Sequence, residues 1–168
     1  MLARMRAAEL ADERCSIARP ASLLGDRWTL VILRQCFNGI KRFEDFQSTL
    51  GISRSLLSER LGHLVDAGIL RREPYKDAVR TRDRYRLTEM GLDLYPVLMA
   101  MREWGDRYMA DEGPPIEIRH KGCGGEPTLE LRCSECGEEV GARGAEAIPG
   151  PGLKVAQDEA LGAAGLAT

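Results

Sequence analysis

The chain has 168 residues, of which 30% are charged and 43% apolar, with a formal net charge of −2. That length allows one well-cored domain and a small appendage, and no apolar run approaches the roughly 20 residues needed to cross a bilayer. The N-terminus, MLARMRAAELADERC, mixes charges of both signs around no apolar centre, so it does not read as a secretory signal and a cytoplasmic protein is expected.

Residues 1–14 read as a charged arm. From Pro20 the run ASLLGDRWTLVILRQCF is periodic at helical spacing, with Leu23, Leu24, Trp28, Val31, Ile32 and Phe37 as core candidates. Asn38-Gly39 stops it. Phe43, Phe46 and Leu50 recur at three and four residues and give a short helix. Gly51 allows the positive φ that a tight inter-helix turn often needs, and Ser53 is placed to cap the helix that follows.

In that helix Leu57, Leu61, Leu64 and Val65 form one face. At about 100° per residue, Ser55, Glu59 and Gly62 lie opposite, with Arg54 and Ser58 near the N-terminal flank. A small, polar N-terminal half lets a helix backbone approach base edges, where bulky groups would hold it off. Asp66-Ala67-Gly68 ends the helix. A strand rich in arginine, a polar loop and a second arginine-rich strand run on to Leu87. This order is a helix-turn-helix with a β-hairpin wing, a shape for lying in a DNA groove. Residues 71–86 hold seven basic side chains against three acidic ones, a local balance of +4, whereas residues 113–168 hold five against nine. The acidic C-terminal part thus masks a basic patch, and the overall charge is no objection to a nucleic-acid partner.

Thr88 is placed to cap the next helix, LTEMGLDLYPVLMAMREWGDRYM. Its apolar positions Leu92, Leu94, Tyr95, Leu98, Met101, Trp104 and Tyr108 wrap more than one face, more than a single domain core demands. Pro96 should kink it, or sit where a neighbour takes the freed carbonyl. Residues 111–115 read as a linker, and the Gly-, Ala- and Pro-rich tail after Ala145 as disordered.

Cys15, the stretch LLGDRWTLVIL, the stretch RFEDFQSTLGISRSLLSERLGHLVDAGILRRE and the stretch YRLTEMGLDLYPVL together resemble the HxlR-type transcriptional regulators, a winged-helix group related to the MarR regulators. The resemblance spans roughly residues 15–110. It implies a mainly α (α+β) fold, a winged helix-turn-helix domain with flanking dimerisation helices. It also implies a homodimer, joined through N- and C-terminal helices, that binds operator DNA without enzymatic activity. Each subunit would place one helix in a major groove and one wing near the adjacent minor groove. The expected domains are 1–112 for DNA binding and dimerisation, 113–146 for a small zinc-ribbon-like β appendage, and 147–168 for the tail.

Ser53, Arg54, Ser55, Ser58 and Glu59 are the candidates for base-edge and adjacent phosphate contacts, since arginine binds guanine bidentately and serine fits most edges. Glu59 could accept from a cytosine amine or simply pair with Arg60. Lys76, Arg80, Arg82 and Arg84, in or near the wing, are assigned to phosphate or a narrow minor groove. Arg84 and Arg86 alternate along the return strand, so that face could equally be solvated. His63 reads as a surface residue or a second-tier phosphate contact, and Trp28 and Trp104 as core or dimer anchors. Cys15 matches a cysteine common at the start of the family, which some members use to sense oxidants or electrophiles; the alternative is a small buried hydrophobe. Cys36 reads as packing.

The segment HKGCGGEPTLELRCSECGEEV holds His120, Cys123, Cys133 and Cys136 with the spacing H-x2-C-x9-C-x2-C. Two short-spaced ligand pairs around a small hairpin are the pattern of a zinc ribbon. Gly124 and Gly137 suit the tight knuckles, and the alternation in TLELR suits a strand. Four nitrogen and sulfur ligands would close a structural site with one zinc per chain. The alternatives are a redox pair of Cys133 and Cys136, or unliganded thiols. Two other functional readings stand beside the regulator: a thiol-redox response through Cys15 or the Cys133/Cys136 pair, and a winged-helix adaptor that binds protein. No small-molecule effector is legible.

Overall fold

The computed structural model describes residues 14–76 and 81–153. The expected N-terminal arm up to residue 13, the wing tip with Arg80 and the tail beyond 153 lie outside the described residues. The chain divides into two compact units, one of residues 24–129 and one that joins the N-terminal segment up to Leu23 with the segment from Glu130 on. Its helices are α1 (Ala18–Leu24), α2 (Arg27–Phe37), α3 (Phe43–Leu50), α4 (Arg54–Asp66), α5 (Glu89–Leu92) and α6 (Tyr95–Met109). Strands β1 (Leu70–Lys76) and β2 (Thr81–Leu87) stand between α4 and α5.

The helical run expected from Pro20 to Phe37 is two helices. Asp26, in extended conformation, breaks it and caps α2, its carboxylate accepting from the Trp28 and Thr29 amides at 2.9 and 3.3 Å. An aspartate in that position satisfies amides that otherwise have no partner at a helix start. Pro20 falls in the first turn of α1, where its missing N–H costs nothing. The run from Thr88 to Met109 divides in the same way. Thr88 caps α5 through Gly91 N–H, and Pro96 starts α6 instead of kinking a longer helix.

The core of the 24–129 unit is made by Ile32 and Leu33 of α2, Phe46 of α3, Leu57, Leu61 and Leu64 of α4, and Ile52, Ile69 and Leu70 at element ends. Each such side chain contributes about 1.5–3 kcal/mol by leaving water. Leu33 joins this core unforeseen, while Trp28, Val31 and Phe37 are only half-buried. Gly51, with φ +61°, closes α3, and its N–H donates to Gln47 O at 3.0 Å. The chain then turns through buried Ile52 directly into the Ser53 cap of α4.

β1 and β2 pair antiparallel with Leu70 opposite Leu87 and Lys76 opposite Thr81. A third short segment lies along β2: Arg42 bridges Arg84, and Tyr85 N–H donates to Lys41 O at 2.7 Å. The wing is therefore fastened to the start of α3. Thr88 closes its base, donating from its hydroxyl to Gly68 O at 2.6 Å. Phe46 and Tyr85 meet edge to face, which ties α3 to β2.

A candidate nucleic-acid interface and a cysteine segment

The apolar side of α4 is fixed first. Leu57, Leu61 and Leu64 are fully buried, and this leaves Ser53, Arg54, Ser55, Ser58 and Glu59 all exposed. Arg60 holds the helix from the flank through an ion pair with Asp26, Nε to Oδ1 at 3.3 Å. The capping residue of α2 is therefore also an anchor for α4. Ser53 accepts from Leu56 N–H at 3.4 Å and lies 3.4 Å, Oγ to Oγ, from Ser55. Arg54 spreads its guanidinium over the Phe43 ring, 4.8 Å from the centroid, which limits the orientations of a long side chain. Glu59 sits 3.6 Å from Arg60, the pairing weighed against a base contact.

The wing arginines have protein partners of their own. Arg82 donates to Glu44 on α3 at 2.6 Å. Glu73 on β1 gathers Arg71, Arg84 and Arg86 at 3.1, 3.0 and 3.3 Å. Burial acts to raise the Glu73 pKa, but the hydrogen bonds from Arg71 and Arg84 and the charges of Arg86 and Arg84 hold it below its ordinary value. Three guanidiniums around one carboxylate leave an excess of positive charge on the strand pair, so the cluster remains basic towards a partner. Lys76 is exposed at the last described residue of β1. Arg42 escaped the reading of the sequence. It stacks on Tyr75 of β1 with its guanidinium 5.1 Å from the ring centroid, exposed beside Lys41. Its signal was the basic pair ahead of α3, which gains meaning only once the β1 tyrosine is known to lie beneath it.

On α6, Val97, Met101, Trp104 and Tyr108 recur at four and three residues, and all four are exposed, Trp104 at 57% and Tyr108 at 63%. Trp104 and Tyr108 pack with tilted rings, their centroids 5.5 Å apart. Of the two expected roles for Trp104, a core position within the described residues is thereby excluded. The opposite side of α6 faces its own unit, where Tyr95 meets Phe37 of α2 at 5.1 Å.

In the unit built from the two chain ends, Cys15 is half-buried and its Sγ accepts from Ala18 N–H at 3.4 Å. It lines a cavity of about 810 Å³ together with Arg14, Arg19 and the segment from Ala147 to Leu153. Arg14 donates to Gly152 O at 3.3 Å across that cavity. Cys36 has its thiol pushed up to about 12 by burial, as its reading as a packing residue requires.

The C-terminal cysteines sit on two turns. His120 O accepts from Gly124 N–H at 2.7 Å, His120 N–H donates to Gly125 O at 2.8 Å, and His120 Nδ1 lies 3.2 Å from Cys123 Sγ. Cys133 O accepts from Gly137 N–H at 2.9 Å, and Cys133 N–H donates to Glu138 O at 2.9 Å. The amides of Cys136 and Glu135 hydrogen-bond the Cys133 sulfur and hold its pKa below the ordinary thiol value. The strand expected in TLELR does not form between the pairs. The single bridge there joins Arg132 to Glu139 and encloses the Cys133–Cys136 turn, with Val140 N–H donating to Leu131 O at 2.8 Å. The alternation gives Leu129 and Leu131 a common face, but both are exposed, at 41% and 77%, so a longer hairpin would bury nothing. Among the described residues no three or more His, Cys, Asp and Glu side chains are grouped as a metal ion would require.

A capped helix with an exposed polar N-terminal half, preceded by a short helix across a glycine turn and followed by a basic two-stranded wing, defines the chain as a transcriptional regulator with a helix-turn-helix DNA-binding fold. It belongs to the HxlR-like helix-turn-helix family, whose model matches residues 23–113. The HTH-type transcriptional regulator Rv3095 of Mycobacterium tuberculosis (strain H37Rv) is 46% identical over 140 residues, 83% of this chain and 88% of the relative. That span exceeds the 113 residues up to the end of the family match, so it takes in part of the C-terminal segment. The crystal structure of PA1607, described as a transcription factor, superposes with a TM-score of 0.74 at 31% identity, covering 82% of this chain and 96% of that one. The redox regulator HypR in its reduced form covers 55% of this chain and 92% of its own at 30% identity, with a TM-score of 0.51. The family and these relatives are transcriptional regulators, not enzymes. No described helix is long and apolar enough to cross a membrane.

Proposed function

We propose that the chain acts as a homodimer on double-stranded operator DNA in the cytoplasm, with α4 in the major groove and the wing on phosphate or the adjacent minor groove. The observation that carries this reading is the exposure of Ser53, Arg54, Ser55, Ser58 and Glu59 on the side of α4 opposite three fully buried leucines. Arg54, steadied on Phe43, is the base reader of first choice, with Ser55 and Ser58 beside it. Lys76, Arg82 and Arg84 supply charge to the phosphates, Arg80, outside the described residues, is assigned the same role, and Lys41 and Arg42 extend the same basic strip. The unpartnered stripe of α6 from Val97 to Tyr108 supports a second copy as its occupant, because a two-fold dimer spaces two reading helices for a near-palindromic site. Binding of the full-length chain to duplexes from its own promoter region tests this. A sequence-specific complex that weakens with salt is expected, and equal affinity for scrambled duplexes would overturn the reading.

A redox-responsive form of the same regulator is favoured by one observation, the place of Cys15 on a cavity shared with Arg14 and Arg19, alongside the likeness to a redox regulator. Diamide treatment should then change operator affinity in the parent chain and leave Cys15→Ser unchanged. Equal responses of the two would exclude Cys15 as the sensor.

A further inference from the structure

α6 has two unlike faces. The exposed stripe of Val97, Met101, Trp104 and Tyr108 lies on one. At about 100° per residue, Tyr95, Met99, Arg102, Glu103 and Asp106 lie on the other, and there they line a cavity of about 300 Å³ with the chain that follows the helix. That chain supplies Ile118, Glu126 and Leu129, all beyond residue 113, where the match to the family model ends. One wall of the cavity thus lies outside the domain that the family shares. The whole lining falls within the 24–129 unit.

Arg102 holds that wall in place. Its guanidinium donates to Ile116 O at 3.1 Å, pairs with Asp106 Oδ2 at 3.1 Å and lies 3.9 Å from Glu126. Tyr95, Met99, Ile118 and Leu129 make much of the lining apolar. Among the described residues its charged lining is Arg102 against Glu103, Asp106 and Glu126, an excess of two negative charges. The one positive group is already taken by two carboxylates, and a hollow with apolar walls focuses the negative field that remains. Asp106 is the most enclosed of the three acids. Its side chain is 24% exposed, against 49% for Glu103 and 66% for Glu126. Glu103 is also drawn away to Arg107, at 3.6 Å. Small-molecule sites run from about 300 to 1,000 Å³, with mostly apolar walls and a few placed polar groups, and this cavity falls at the lower end of that range.

We propose that this cavity binds a small organic cation, an apolar body that ends in a primary amine. The body lies against Met99 and Ile118, and the ammonium donates to the Asp106 carboxylate beside Arg102. An ammonium has three donors and no acceptor, which suits a hollow lined by carboxylates, and charge assistance makes such a bond strong. An anion of the same shape meets net repulsion there, and a neutral molecule gains only the apolar contact. The site lies outside α4 and the wing, so it stands or falls independently of the DNA reading.

The test is an NMR titration of the full-length chain, labelled at its methionine and isoleucine methyls, with phenylbutylamine, phenylbutanol and phenylbutyrate. The three probes share one apolar body and differ in the charge at its end. The amine should shift the Met99 and Ile118 methyls saturably, with a Kd of about 0.1–1 mM for a ligand of this size. The alcohol should bind about tenfold more weakly, and the carboxylate not measurably. Asp106→Asn should bring the amine and the alcohol to the same affinity. Should that variant fail to fold, Glu126→Gln takes its place and should narrow the gap between the two. Equal affinity of the parent chain for all three probes would overturn the proposal. So would the lack of a saturable shift at Met99 and Ile118 by about 10 mM amine. Shifts confined to Met101 would do the same and place binding on the exposed stripe. An undiminished preference for the amine in Asp106→Asn would likewise refute the assigned contact.

Discussion

Arg82 of β2 reaches across to Glu44 in the first turn of α3 and donates to its carboxylate at 2.6 Å. A wing arginine assigned to phosphate is thus held by an acid at the start of the helix that precedes the reader. The pair orients the guanidinium in the free protein and also lowers the net charge that DNA meets.

Removing either partner should have opposite effects on binding. Arg82→Ala is expected to weaken affinity for all sequences alike and to reduce the salt slope by about 1, as loss of one phosphate contact does. Glu44→Gln should tighten non-specific binding severalfold, because a negative charge near the phosphates is lost. Anisotropy titrations of specific and scrambled duplexes over a range of salt measure both. A change confined to sequence preference would remove Arg82 from phosphate contact.

Glu73 makes the wing sensitive to acid. Its folded pKa lies below the ordinary value, so the stabilisation from Arg71, Arg84 and Arg86 is fully present above the usual glutamate range, about 4.3. It is lost as pH falls through the lowered value. Glu73→Gln should therefore be less stable than the parent at pH 7, and the two should converge in acid. Urea midpoints measured from neutral pH downward check the sign, and a gap that widens in acid would contradict it.

Gly91 is required for packing. It is buried at the wing base, and a Cβ there would run into the backbone carbonyl oxygen of Ile69. Gly91→Ala should cost about 1–3 kcal/mol, the usual range for overpacking a site that cannot give. Denaturant unfolding measures the loss. An unchanged midpoint would show that α5 shifts freely against the wing.

The exposed stripe on α6 should govern assembly. Trp104→Ala is expected to weaken self-association by about 2–4 kcal/mol, as loss of a central aromatic anchor does. Sedimentation across a concentration series should show the parent as a dimer and the variant shifted towards monomer. A parent chain that sediments as a monomer at micromolar concentration would remove the two-fold model.

The helix-turn-helix and the wing were legible because their signals are local. Leu57, Leu61 and Leu64 declare one face of α4, Ser53 and Gly51 punctuate it, and alternating arginines mark β2. The breaks at Asp26 and before Tyr95 were also written in the chain, as a capping aspartate after a glycine and a proline in a first helical turn. The periodic apolar residues on either side of each break hid them. The partners of the side chains were not legible. That Glu73 would collect three arginines depends on strand register, and that Arg54 would lie on Phe43 depends on the packing of α3 against α4. Trp104 shows the limit from the other side. Its spacing fits a core as well as an interface, and only its exposure in the folded unit separates the two.

The central claim is that α4 reads base edges. Selection from a pool of randomised duplexes with the full-length chain tests it most directly, run in parallel with Arg54→Ala. The account predicts enrichment of a near-palindrome with half-sites about one helical turn apart, and a loss of about 1–3 kcal/mol of discrimination in the variant at the base pair that Arg54 reads. A pool that stays random after selection, or one that Arg54→Ala enriches identically, would contradict it.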